Sequence, residues 1–192
     1  MITGLQRMTK YKYQQLVNLS PPKTYSKRIF NAFRDEYDEK YMFNIKLRDR
    51  FNKPTGGLWS STYTPLADED SKWIEWCKDN CQEDWVGKHS ILLEIKSNAR
   101  IFTIDSQDDL LNLYRLYPRV TFCDQKYIDY YEVQKDWDII HLTEDGEWVC
   151  RHPRIYTGLN KNIELSLYGW DCESSLILND VINRFKKIKT RR

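Results

Sequence analysis

The apolar and polar positions of the chain fall into short segments with strand-like periods. Residues 58–63 are rich in aromatic and β-branched side chains and directly follow a Pro/Gly turn at residues 52–57, which predicts a strand. Residues 41–47 carry apolar side chains at every second position, as a half-buried strand would, although a helix over residues 35–49 fits the same pattern. Further strands are predicted at residues 90–95, 100–104, 137–142 and 171–178.

Helices are predicted where the apolar spacing lengthens. Trp73, Trp76 and Cys77 are spaced i, i+3, i+4 behind an N-cap at Ser71. A second helix begins after Ser106, which forms a capping box with the acidic residue three positions later. The remaining predicted features are a helix over residues 129–135, a turn at Asp145-Gly146 and a final helix from Asn179 or Asp180.

The order of these elements predicts a single α+β domain. The chain of 192 residues is long enough to bury about 70% of its unfolded surface, and no linker divides it. We assign residues 1–22 to a polar lead-in, 23–185 to the core and 186–192 to a basic, solvated tail. Strands dominate the second half and the helices are short, so α+β is favoured over a doubly wound α/β fold.

Composition and charge exclude several classes of protein. The net charge is only +2, from 30 basic and 28 acidic residues, and gives no general argument for binding nucleic acid or membranes. The polar N-terminus has no secretory signal and no apolar run is long enough to cross a bilayer, which predicts a cytoplasmic location. Five scattered cysteines lack zinc-site spacing, and no metal is expected. Seven Trp and 13 Tyr suit either a compact core or a nucleotide pocket.

No dinucleotide-binding, P-loop, lipase-type or zinc-protease motif is present, and three other stretches are the candidates for a functional site. In the first, two glycines that end at Gly57 permit close approach of a ligand to the backbone, and Trp59, Ser60 and Ser61 follow on the predicted strand. The same residues also fit a plain turn with two solvated serines.

The second stretch holds two carboxylates. Asp171 and Glu173 are two positions apart, so a strand would project both from one face. Such a pair suits charge-dependent chemistry, or else it is an exposed pair at a strand edge. Earlier in the chain, Arg28 lies on a basic strand candidate where its fork of donors could hold a phosphate or ribose.

Together, the order of these stretches resembles the ADP-ribosyltransferase fold family from about residue 24 to 185. In that family an early strand contributes an Arg or His that holds NAD, a later strand begins with a Ser/Thr-rich stretch, and a late strand carries a catalytic Glu. The matching positions here are the basic stretch with Arg28, residues 59–62, and Glu173 with Asp171 two positions before it. Asp171 replaces the family's usual Glu or Gln.

The resemblance implies a split β-sheet core with short flanking helices and an NAD-dependent mono-ADP-ribosyltransferase, a glycosyltransferase that uses NAD as its substrate. Glu173 would be the catalytic carboxylate and Asp171 would serve the acceptor. The NAD-binding residues implied are Arg28, Gly57, Trp59, Ser60 and Ser61. The acceptor would be a protein or nucleic acid, and an intracellular toxin or phage-related effector with a protein inhibitor or antitoxin would fit the small catalytic domain.

Two other classes of function stay open at this point. Asp171 and Glu173 could be metal ligands of a nucleic-acid-processing enzyme with a basic tail. An aromatic-rich domain of this size could also be a non-catalytic interaction module. Turnover of NAD separates the first class from both alternatives.

Overall fold

A computed structural model of the chain describes residues 14–18, 45, 52–64, 70–86, 89–120, 126–152, 154–157 and 162–190. These residues form a mixed sheet flanked by helices, which agrees with the predicted α+β class. The described strands are β1 (Gln14–Asn18), β2 (Leu58–Thr64), β3 (Asp70–Ser71), β4 (His89–Ile95), β5 (Ile101–Ile104), β6 (Pro118–Val120), β7 (Lys126–Ile128), β8 (Ile139–Leu142), β9 (Arg154–Thr157), β10 (Asn162–Leu165), β11 (Ser174–Ile177) and β12 (Ile182–Thr190).

The main sheet has eight strands in the order β12-β4-β1-β2-β11-β8-β5, with β3 paired to β2 outside this path. Its neighbours are antiparallel except for β5 and β8, which are parallel. Within the described ranges these strands are connected along one path, and the two smaller sheets are the hairpins β6-β7 and β9-β10. The finer expectation of a split ADP-ribosyltransferase-type core stays a prediction.

Four α-helices are found in the described part of the chain: α1 (Lys72–Asp79), α2 (Gln107–Leu116), α3 (Tyr130–Asp136) and α4 (Glu144–Cys150). The predicted capping box of α2 is confirmed, because Ser106 Oγ accepts from the backbone N–H of Asp109 at 3.3 Å and donates to its carboxylate at 2.7 Å. Ser71 is the N-cap residue of α1, but its side chain makes no capping hydrogen bond.

Three predictions of local structure are wrong. The turn at Asp145-Gly146 lies inside α4, where Thr143 caps the helix by accepting from the N–H of Gly146 at 3.0 Å. The final helix is replaced by β12, an end strand of the main sheet that also takes in residues 186–190 of the expected tail. The polar lead-in contributes β1 between β4 and β2, because backbone pairing with two neighbours outweighs its weak apolar pattern.

The main sheet is buried on both sides at β8 and β11, and its two faces differ. The helix face, which carries Ile140, Leu142 and Leu176, packs against α2, α3 and α4 in the larger core cluster. The second face carries Ile139 and Ile177 in a smaller apolar cluster. Because strand side chains alternate, His141 and Ser175 fall on this second face. No helix in the described ranges is long and apolar enough to cross a membrane.

Candidate functional site

A row of polar side chains crosses three neighbouring strands on the second face. Ser60 of β2 pairs with Ser175 of β11, and Ser175 pairs with His141 of β8. Directly paired residues project from the same face, so the three side chains are neighbours. All three are buried, at 5% exposure for Ser60, 0% for Ser175 and 3% for His141. Buried polar side chains in the middle of apolar strands require hydrogen-bond partners, and the members of this row are partners for one another.

Glu173 extends this row to the end of the sheet. It immediately precedes β11, and its Oε1 accepts a hydrogen bond from Thr62 Oγ1 of β2 at 2.7 Å. The same oxygen lies 3.7 Å from Nε2 of His141. The Glu173 side chain keeps 17% of its surface exposed, so a ligand can reach the carboxylate. The backbone of Glu173 is fixed because it leads directly into β11.

The charges around Glu173 come from α1 and α4. Lys72 Nζ lies 3.5 Å from Glu75 on the same helix and 3.4 Å from Glu144 on α4, which joins the two helices. Burial is the main influence on the pKa of Glu173 and raises it, the Thr62 hydrogen bond and Lys72 oppose it, and Glu144 and Glu75 raise it further. The net effect is a raised pKa, because burial outweighs the hydrogen bond from Thr62 and the charge of Lys72.

His141 is a neutral neighbour of this carboxylate. Burial lowers the pKa of His141 to about 4, although the negative charge of Asp105 acts in the opposite direction. At neutral pH the 3.7 Å contact therefore joins a carboxyl group to an uncharged imidazole and is not an ion pair. The other ring nitrogen, Nδ1, lies 2.8 Å from Ser175 Oγ, and Ser60 Oγ donates to the Ser175 carbonyl at 3.4 Å.

Asp171 belongs to a different environment. The prediction that Asp171 and Glu173 share one strand face is wrong, because β11 begins only at Ser174, where pairing with β2 and β8 begins. Asp171 Oδ2 pairs with Lys53 Nζ at 3.3 Å, and the same ammonium lies 5.2 Å from the ring centroid of Trp59. The two carboxylates therefore have separate partners.

The predicted NAD-binding residues of β2 divide between the two faces. Trp59 packs edge-on against Trp170 with ring centroids 4.6 Å apart, within the core of the helix face. Ser61 pairs with Ser174 on that same face, and its buried Oγ has no hydrogen-bond partner among the described residues. Of the three predicted residues on β2, Ser60 alone lies on the face of Glu173. Arg28 lies outside the described residues.

Gly57 is packed into the core. It has a positive φ of 66°, and a Cβ there would lie 2.5 Å from Leu176 Cδ1 and 3.1 Å from Ile45 Cδ1. A left-handed backbone and the absence of space both require glycine at this position. These contacts explain the residue through packing, and its role in NAD binding stays a prediction.

Two members of the polar row, His141 and Ser175, were missed as site residues, and Thr62 was included in the Ser/Thr-rich stretch at residues 59–62 without a role of its own. The available signal was a histidine within the run Ile139–Leu142, where every residue is buried. A single buried histidine is an ordinary structural feature, and only the register of β8, β11 and β2 shows that it faces a carboxylate. In the described part of the chain, no three His, Cys, Asp or Glu side chains group as metal ligands would.

No family model, curated protein or solved structure matches this chain. The candidate site therefore rests on the geometry of the chain's own residues.

Proposed function

We propose that the chain is an NAD-dependent mono-ADP-ribosyltransferase with Glu173 as its catalytic carboxylate. One observation carries the proposal: Glu173 hydrogen-bonds Thr62 on β2, the Ser/Thr-rich strand, at 2.7 Å. The family resemblance requires the late Glu to lie beside this strand, and a Glu173 remote from β2 would have ended the assignment. An ADP-ribosyltransferase-type fold and an NAD-holding Arg28 are part of the same proposal.

The two oxygens of Glu173 have different surroundings. Oε1 accepts from Thr62 and faces His141. Oε2 makes no hydrogen bond to the described residues, so it can accept one from a ribose hydroxyl. When the bond between nicotinamide and ribose breaks, nicotinamide leaves with the bonding electrons and positive charge develops on the ribose. Glu173 stabilises this charge where it forms, without reorganisation, because Thr62 already holds its other oxygen.

Asp171 has the separate task of serving the acceptor. The acceptor's nucleophilic atom bonds to the ribose carbon that nicotinamide leaves, and its proton must go to a base. Asp171 is partly exposed and pairs with Lys53 at 3.3 Å, so its carboxylate lies where an acceptor can approach it. The acceptor is a macromolecule, and a cytoplasmic toxin or phage-related role with a protein inhibitor belongs to the same proposal.

The alternative of a metal-dependent nucleic-acid-processing enzyme has less support from the geometry. It needs Asp171 and Glu173 to share a cation, yet one pairs with Lys53 and the other with Thr62. A non-catalytic interaction module would give no role to the Glu173 oxygen that makes no hydrogen bond to the described residues.

Nicotinamide release from NAD tests the proposal. Glu173→Gln keeps the shape of the side chain and removes its charge, and we expect NAD cleavage to fall about 10²–10³-fold, as for other lost transition-state contacts. Glu164→Gln is the matched control, because Glu164 is exposed on β10 and its variant should cleave NAD normally. NAD at about 100 times its Kd should raise the free energy of unfolding by about 2.7 kcal/mol. Equal turnover in wild type and Glu173→Gln would contradict the assignment.

A further inference from the structure

The contact between His141 and Glu173 points to a second residue with a defined task in the site. His141 is held in place before any ligand binds: its side chain is 4% exposed, and Nδ1 lies 2.8 Å from Ser175 Oγ. The pairing of β8 with β11 places His141 opposite Ser175, two residues after Glu173, and so fixes how far the ring lies from Glu173. The ring therefore presents Nε2 to Oε1 with little freedom to turn away.

The two neutral forms of the ring have opposite effects on the carboxylate. With the proton on Nε2, the ring donates towards Oε1 and Nδ1 accepts from the Ser175 hydroxyl, which can rotate to suit. With the proton on Nδ1, a lone pair on Nε2 faces the carboxylate, and the contact is favourable only when Glu173 is itself protonated. Thr62 already donates to Oε1. A ring with its proton on Nε2 adds a second donor, so the carboxylate is held from two sides.

We infer that His141 is a positioning residue for Glu173: its neutral ring, protonated on Nε2 and locked by Ser175, holds Oε1 so that Oε2 faces the substrate. The distance of 3.7 Å is longer than a hydrogen bond, and it is expected to shorten when a substrate draws Glu173 into its working position. This inference deepens the proposed function and rests on it for the identity of the substrate.

Other charged groups act on the same pair and must be separated from His141. Glu173 is influenced by Lys72 and Glu75 of α1 and by Glu144 at the start of α4. His141 is influenced by Asp105, which follows β5, and by a hydrogen bond to the backbone of Ser174. Replacing His141 leaves these charged groups in place. Burial is the main influence on the pKa of Glu173, so the comparison of His141→Leu with His141→Gln separates loss of a donor from a change in burial.

The decisive experiment needs no NAD. The chain has only three histidines, so ¹⁵N spectra of labelled histidine can assign the protonated nitrogen of His141, with His141→Gln identifying its signals. Labelled glutamate, with Glu173→Gln to identify the signal, gives the titration midpoint of Glu173. We expect the proton on Nε2, and in His141→Leu a Glu173 midpoint about one pH unit higher, because the ionised carboxylate loses a donor.

Conservative variants separate positioning from packing. His141→Gln places an amide donor near the position of Nε2 and should restore the midpoint, whereas His152→Gln, at an exposed histidine, should leave it unchanged. Ser175→Ala removes the lock on Nδ1 and should move the midpoint in the same direction as His141→Leu. It also keeps the inference testable if His141→Leu does not fold. In NAD cleavage, kcat should fall about tenfold in His141→Leu, with KM within roughly twofold of wild type.

The outcomes distinguish this inference from the proposed function. A proton on Nδ1, or a Glu173 midpoint that moves in neither His141→Leu nor Ser175→Ala, would overturn the positioning role even if NAD is cleaved. A wild-type protein that neither binds nor cleaves NAD would end the proposed function, while the spectra would still decide whether His141 holds Glu173.

Discussion

Two carboxylates beside neighbouring strands show how differently this fold treats the same chemical group. Asp138 directly precedes β8 and Glu173 directly precedes β11, and their side chains are similarly buried at 12% and 17% exposure. Asp138 accepts four hydrogen bonds: from the N–H of Arg100 at 2.8 Å, from its Nε at 3.2 Å, from its Nη2 at 2.9 Å and from Asn179 Nδ2 at 2.9 Å. Glu173 accepts one from the described residues, that of Thr62.

The difference appears in the pKa values of the two groups. Burial raises the pKa of Asp138, but the hydrogen bonds from Arg100 and Asn179 outweigh it and the pKa is lowered overall. For Glu173 burial prevails and the pKa is raised. Similar burial therefore does not decide the role of a carboxylate. A saturated carboxylate joins strands, whereas one with an open oxygen has capacity left for a ligand.

Gly57, like Asp138, has no space left around it for a further group. Its substitution is expected to have the largest effect on the free energy of unfolding. In Gly57→Val the new side chain meets Leu176 and Ile45, and the left-handed backbone is strained as well. We expect the free energy of unfolding to fall by about 3 kcal/mol, which denaturant unfolding measures. Gly57→Ala should lose less, since it adds one methyl group. A raised KM for NAD at unchanged stability would instead support the predicted role of Gly57 in binding NAD.

Asp138→Asn should have the next largest effect. The substitution leaves the guanidinium of Arg100 without its carboxylate, and we expect a loss of about 2 kcal/mol in the free energy of unfolding. For a chain of this size the melting temperature should fall by about 4–8 °C. Asp180→Asn is the matched control, because its contact with Lys96 is 4.0 Å long and exposed. If Glu173→Gln lost as much stability as Asp138→Asn, the conclusion that Asp138 stabilises the fold and Glu173 does not would be wrong.

The pH dependence of stability should separate the same two residues with a smaller effect. Asp138 has a lowered pKa, so it stabilises the fold fully above its ordinary value of 3.8 and loses this contribution as pH falls through the folded pKa. Glu173 has a raised pKa, so its ionisation costs stability as pH rises from its ordinary value of 4.5 through the folded pKa.

Unfolding curves from pH 3 to 7 check both signs. The difference in free energy of unfolding between wild type and Asp138→Asn should become smaller towards pH 3. Glu173→Gln should equal or exceed the wild-type stability at neutral pH and lose that advantage in acid. A Glu173→Gln variant that is less stable than wild type at pH 7 would show that the ionised carboxylate supports the fold.

Local sequence patterns predicted the elements whose signals are complete within a few residues. The strand at residues 58–63 corresponds to β2 (Leu58–Thr64), and the box at Ser106 starts α2 as expected. The strand β12 was missed because its run of lysines and arginines has no alternating apolar face. It is a strand because it pairs with β4, a contact between residues about 90 positions apart in sequence such as Arg184 and Glu94.

The candidate site was likewise predictable only where local sequence signals suffice. Glu173 and the hydroxyl-rich β2 could be selected from the sequence because both carry distinctive residue types. The link between them is a matter of register: Ser60 meets Ser175, and Ser175 meets His141. Sequence spacing also placed Asp171 on the strand of Glu173, since it cannot show where the ladder with β2 and β8 begins.

Asp171→Asn should have the smallest effect on stability. Its ion pair with Lys53 is partly exposed, with side chains 26% and 35% accessible, and such pairs contribute at most about 1 kcal/mol. We therefore expect a melting temperature close to wild type and normal release of nicotinamide to water, because Asp171 pairs with Lys53 whereas Glu173 is held by Thr62. If Asp171 serves the acceptor, labelling of the target should fall while hydrolysis continues.

Lys53→Met sharpens this last prediction, because it removes the ion pair and keeps the carboxylate. Target labelling that falls in Asp171→Asn but persists in Lys53→Met would assign the acceptor role to the carboxylate itself. Loss of labelling in both variants would mean that the pair, together with the Lys53 contact to Trp59, shapes the surface that the acceptor approaches. Parallel loss of hydrolysis and labelling in Asp171→Asn would instead move Asp171 into NAD binding.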